Sequence, residues 1–145
     1  MYVSRAEADQ YFDAHMRSAD WDALTDDQKN AAIRAATTSI DVQLYQGLKA
    51  ETDQERAFPR KYKTRRGWIV EEDIPDAVLD ACCEEAVALA TATDDAAQRG
   101  VTQVRAGDAS ETYAEQVVAE ARTGHLSREA KLLLRGCLSG GVAIR

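Results

Sequence analysis

The stretch from Gln54 to Ala90, QERAFPRKYKTRRGWIVEEDIPDAVLDACCEEAVALA, joins three kinds of sequence end to end. Phe58-Pro59 forms an aromatic–proline corner. A basic segment dotted with aromatics follows, Arg60 to Trp68, and then an acidic step, Glu71-Glu72-Asp73. Ile74-Pro75 opens the chain's broadest apolar helical pattern: Val78, Leu79, Cys82, Cys83, Ala86, Leu89 and Ala90. That breadth predicts a helix to about Thr93, buried on more than one side, with Pro75 as its first residue and Asp76 at its positive end. Residues 60–73 show no helical period and contain Gly67, so a long basic loop is expected there.

The pattern continues outward in both directions. Ser4-Arg5-Ala6-Glu7 and Thr25-Asp26-Asp27-Gln28 are capping boxes. The first predicts a helix to about Arg17 with Ala8, Tyr11, Phe12 and His15 or Met16 on one face. The second predicts a helix carrying Ala32, Ile33, Ala36, Ile40 and Leu44, ending by Gly47 as its C-cap. Trp21 and Leu24 are expected to anchor on the core, and Phe58 to plug it beneath the loop. After Gly100, Val101–Val104 and Glu111–Tyr113 flank Gly107-Asp108 and predict a β-hairpin. Ser127 predicts the cap of a last helix carrying Leu132, Leu133, Leu134 and Leu138. The expected fold is mainly α: a small bundle of about four to five helices, with the long basic loop and one β-hairpin. At 145 residues one domain is expected over residues 1–145, with residues 139–145 as a flexible tail.

The chain carries −7 overall, which argues against a dedicated nucleic-acid binder. The charge is unevenly spread. Between Gln54 and Trp68 six basic residues oppose Glu55 alone, a local +5, so the remainder carries −12. The candidate contact residues are Arg56, Arg60, Lys61, Tyr62, Lys63, Arg65, Arg66 and Trp68. They could bridge to an acidic surface of a neighbouring subunit, or neutralise phosphates while Tyr62 and Trp68 stack on bases. The acidic remainder favours bridging.

No enzyme is indicated. The nucleophile-elbow, P-loop and dinucleotide signatures are absent, and the acidic pairs read as solvated faces or caps. His15 and His125 stand far apart, the three cysteines lack Cys-x-x-Cys spacing, and no metal or cofactor is expected. No apolar run approaches the roughly 18–20 residues of a membrane span, and the N-terminus lacks a signal layout. The expected location is the cytosol or a particle assembled there.

In order and spacing, Tyr2-Val3-Ser4, Ala6-Glu7-Ala8, Tyr11-Phe12, Trp21, Ile40-Asp41, Ala57-Phe58-Pro59-Arg60, Ile74-Pro75-Asp76-Ala77-Val78, Gly107-Asp108 and a late Leu-Ser…Leu-Leu helix with a Gly-rich tail resemble a family of small tailed-phage proteins. That family carries two labels, DnaT-like single-stranded-DNA-binding protein and head–tail connector (adaptor, head-completion) protein. The connector label implies a structural virion protein at the head–tail interface, assembled in the bacterial host cytoplasm. It implies a ring of about twelve copies under the portal, with duplex DNA in its lumen and the portal and a tail or stopper protein as partners. The tail residues Gly140, Gly141, Val142, Ile144 and Arg145 would dock on the portal. The acidic body and basic arm favour the connector; single-stranded-DNA binding through the arm is the alternative.

Overall fold

A computed structural model describes residues 1–103 and 126–139, with side chains described for 1–91 and 126–139. The described elements are α1 (Arg5–Phe12), α2 (Ser18–Asp22), α3 (Asp26–Asp41), β1 (Leu48–Lys49), β2 (Arg60–Thr64), β3 (Gly67–Val70), α4 (Asp76–Gln103) and α5 (Arg128–Leu133). The three strands form one antiparallel sheet in the order β1-β2-β3. The fold is therefore mixed α and β, which corrects the expected mainly α bundle. The stretch expected as a basic loop is a β-hairpin. α4 runs through Val101 to Gln103, where the first strand of the hairpin expected at residues 101–113 would begin. The remaining residues of that expected hairpin lie outside those described.

The helix starts follow their side-chain chemistry. Ser4 Oγ accepts from Glu7 N–H while Glu7 accepts from Ser4 N–H, and Thr25 and Gln28 exchange the same pair of bonds. Ser127 Oγ accepts from Ala130 N–H at the start of α5. The helix ends were less legible. α1 stops at Phe12, and residues beyond it turn so that Met16 is fully exposed. α3 stops at Asp41, well before Gly47. Gly47 instead permits a close backbone approach, since with φ +74° a Cβ there would stand 2.3 Å from the Lys61 carbonyl oxygen. Only glycine lets this backbone pass so close to β2.

The core lies between α3 and α4, with α1, α2 and α5 packed around it. Ile33, Ala36 and Ile40 of α3 meet Val78, Ala81, Cys82, Ala86 and Val87 of α4, all buried. Trp21 stacks on Phe12 at 4.9 Å between ring centroids. Its indole N–H donates to Asp9, which also accepts from Lys29 Nζ. Phe58, 1 % exposed and followed by a cis peptide bond to Pro59, plugs the core from the hairpin side. Asp41 holds that corner: its carboxylate accepts from the Tyr2 hydroxyl, Ala57 N–H and Arg56 Nη1.

Two acidic neighbours on α4 are buried, and each has partners on one carboxylate oxygen, while Glu84 Oε2 accepts no hydrogen bond among the described residues and has Arg17 Nη1 at 4.0 Å. Glu84 Oε1 accepts from the Tyr11 hydroxyl at 2.8 Å and lies 2.9 Å from His15 Nε2. Glu85 Oε2 accepts from Ser127 N–H at 2.7 Å, which seats α5 against α4.

Burial raises the Glu85 carboxyl above its ordinary 4.5, with the bonds from Ser127 opposing the shift. The folded chain therefore holds this proton more tightly than the unfolded chain, so stability from this group is lost as pH rises above about 4.5. Glu85→Gln retains an acceptor for Ser127 N–H and carries no charge. The stability of the variant relative to wild type should accordingly increase between pH 4.5 and pH 7 in urea denaturation. A difference independent of pH would show that the Glu85 charge is not disfavoured by folding.

Candidate nucleic-acid interface

β2 reads Arg60-Lys61-Tyr62-Lys63-Thr64, and alternate side chains of a strand face opposite sides of the sheet. The register pairs Leu48 with Lys61, Lys61 with Val70, Lys63 with Trp68, and Thr64 with Gly67. Leu48, Lys61, Lys63, Trp68 and Val70 therefore share one face. Arg60, Tyr62 and Ile69 lie on the other. This alternation divides the expected contact residues into two groups with different roles.

Of the expected contact residues, Arg60 and Tyr62 on this second face, and Arg56 before β2, are structural, while Ile69 is exposed. Arg60 is 8 % exposed. Its guanidinium donates to the carbonyls of Gln46 (2.8 Å), Ala57 (3.0 Å) and Gly47 (2.8 Å), with Tyr45 at 3.5 Å, and lies 5.5 Å from the Tyr45 ring. Tyr62 donates its hydroxyl to Glu71 Oε1 at 3.1 Å. Burial, with Glu71 beside it, pushes that hydroxyl up to about 12. Arg56 pairs with Asp41 at 3.0 Å. None of these three is a free cation or a free ring.

The outward group is open. Trp68 is 51 % exposed, with Lys61 Nζ 5.7 Å from its ring centroid, and Leu48 and Val70 flank them. Arg65 and Arg66 form the two-residue turn. Thr64 shapes it by accepting from Arg66 N–H and donating to the Gly67 carbonyl. Gly67 takes φ +120° in open space, so its conformation and not crowding is what calls for glycine. Among the described residues no carboxylate pairs with Lys61, Lys63, Arg65 or Arg66. The result is an exposed aromatic ring with Lys61 over it, Lys63 paired across from it and Arg65 and Arg66 in the adjoining turn.

This arrangement suits an unpaired base on the indole with phosphates held on either side, since stacking and charge neutralisation are the two contacts a single strand offers. The amino-acid sequence points to the cations and the tryptophan but not to Leu48 and Val70, which join the face through register alone. The period-two order of Arg60, Tyr62 and Thr64 against Lys61 and Lys63 was the available signal. The tail residues Gly140, Gly141, Val142, Ile144 and Arg145 lie outside the described residues. Among the described residues no group of three His, Cys, Asp or Glu side chains could hold a metal ion, and no helix is long and apolar enough to cross a membrane.

The division has a direct test. Arg60→Met leaves buried carbonyls without donors and should lower stability by about 3–5 kcal/mol. Lys63→Ala, on the open face, should stay within about 0.5 kcal/mol of wild type. Chemical denaturation of both variants checks this, and equal losses would contradict the assignment of faces.

No curated protein and no solved structure matches the chain. The portal, the tail proteins and ring assembly thus find no support in comparison with known proteins. The whole chain, residues 1–145, matches the family described as "Putative DnaT-like ssDNA binding protein". The chain belongs to that family.

Proposed function

We propose that the protein binds single-stranded DNA through the open face of the β2–β3 hairpin. The observation that carries this reading is the placement of Trp68 beside Lys61 and Lys63, with Arg65 and Arg66 at the tip and no carboxylate among the described residues paired to any of them. Family membership supports it. The acidic total does not oppose it, because attraction is set by the charge near the contact and falls off over a Debye length of about 10 Å at 0.1 M salt. Readout of sequence is not expected: every base has a face to stack, and the cations meet phosphate.

The exposed apolar side chains Leu48, Ile69 and Val70 favour a second reading, in which the hairpin meets a neighbouring subunit as the connector resemblance implies. Sedimentation separates the two. Assembly abolished by Ile69→Glu would support subunit contact, whereas a monomer at every concentration that still binds oligonucleotide supports the first reading.

Anisotropy titrations with a labelled oligo-dT test the DNA reading directly. Trp68→Ala should weaken binding by about 1–3 kcal/mol. Lys63→Ala/Arg65→Ala/Arg66→Ala should reduce the slope of log affinity against log salt by about 2, at roughly 0.7 per phosphate contact. Tyr62→Phe, on the body side, should bind as wild type does. Binding that is absent, or indifferent to salt and to these substitutions, would reject the proposal.

A further inference from the structure

α5 and the turn after it carry a second group of exposed cations, and that turn is hydrogen-bonded to Gln46 near the sheet. Arg128, Lys131, Leu132 and Arg135 follow helical spacing and are all exposed, while Ala130 and Leu134 are buried against the core. Arg135 follows the C-cap residue Leu134, in the turn that closes α5. Two cations thus stand on a short helix and a third in the turn after it, with Glu129 the one acidic residue in the helix. None of the three pairs with a carboxylate among the described residues.

Helix electrostatics account for only part of this. Lys131 and Arg135 lie toward the negative end of α5, where cations are favourable. Arg128 is the first helical residue, where a cation opposes the dipole. Nor does packing require it, since Arg128 is exposed.

Gln46 ties this surface to the hairpin. Its side-chain amide reaches the carbonyls of Gly136 (3.5 Å) and Leu138 (3.2 Å), and its N–H donates to the Cys137 carbonyl. Its own carbonyl accepts from Arg60 at the root of β2. Two residues on, Leu48 pairs with Lys61 on the open face. Arg135 therefore stands next to the residue whose carbonyl meets Gln46, and Gln46 stands next to the sheet.

We infer that a bound single strand continues from the hairpin across β1 onto α5, where Arg128, Lys131 and Arg135 hold further phosphates. This rests on the single-strand reading proposed above. It makes affinity depend on length: a strand of about 4 nucleotides is served by the hairpin, and one of about 16 engages both surfaces, within the range of site sizes known for single-strand grooves.

The test compares labelled oligo-dT of about 4 and about 16 nucleotides across a salt series. It uses wild type, the hairpin variant Lys63→Ala/Arg65→Ala/Arg66→Ala, and an α5 variant, Arg128→Gln/Lys131→Gln/Arg135→Gln. The α5 variant should bind the long strand about tenfold or more weakly, with a salt slope shallower by about 2, and bind the short strand as wild type does. Arg128→Lys/Arg135→Lys, which keeps the charges, should restore long-strand binding. Unchanged thermal melting shows that these exposed positions leave the fold intact. Loss confined to the hairpin variant overturns this inference alone. Wild type that binds neither strand overturns the hairpin reading and this one with it.

Discussion

A single guanidinium, that of Arg60, fixes the hairpin to the rest of the molecule. Four carbonyl groups from two separate loops converge on it: Tyr45, Gln46 and Gly47 after α3, and Ala57 before the Phe58-Pro59 corner. Carbonyls at the ends of loops would otherwise face a partly buried space without donors, which is costly. Arginine fits because its planar fork donates in several directions at once, whereas a lysine ammonium would act as one compact point. The arrangement also orders what lies next to it. Gly47 can pass under Tyr62 because it lacks a side chain, and Gln46, held by its carbonyl, turns its amide to the last described turn of the chain.

Much of the helical framework was legible in the sequence. Ser4, Thr25 and Ser127 announce their helices because a cap is a local device that acts on backbone groups three residues away. The apolar residues after Pro75 identify the core helix for a similar reason, since burial follows its own period. The sheet was not legible, because the signal for it is not local. Lys61 and Lys63 carry none of the apolar alternation that marks a half-buried strand, and β1 is only two residues long. Its pairing becomes visible only when Gly47 brings the chain back beside β2.

The candidate site was half legible. Its cations could be counted from the sequence, and their surplus over Glu55 singles out one segment. Their roles could not, since Arg60 and Lys61 are chemically alike and adjacent. One is buried among carbonyls and the other stands on an open face solely because of strand alternation. The same limit hid the cations of α5 and its closing turn, which are spread over eight positions and show as a group only once the chain is folded there. The family assignment spans both surfaces without distinguishing them, so the division of labour among these residues comes from the geometry.

The uneven distribution of charge has a consequence for how any polyanion approaches. Lys61, Lys63, Arg65 and Arg66 pair with no carboxylate among the described residues, so the hairpin is a local concentration of positive charge on a chain of net −7. A phosphate chain that comes within about a Debye length of the hairpin, roughly 10 Å at 0.1 M salt, is drawn toward these cations. The local field thus favours encounters at the hairpin, and capture becomes a matter of encounter as much as of grip. Such steering acts on the association rate and fades with ionic strength, while stacking on Trp68 governs how long a captured strand stays.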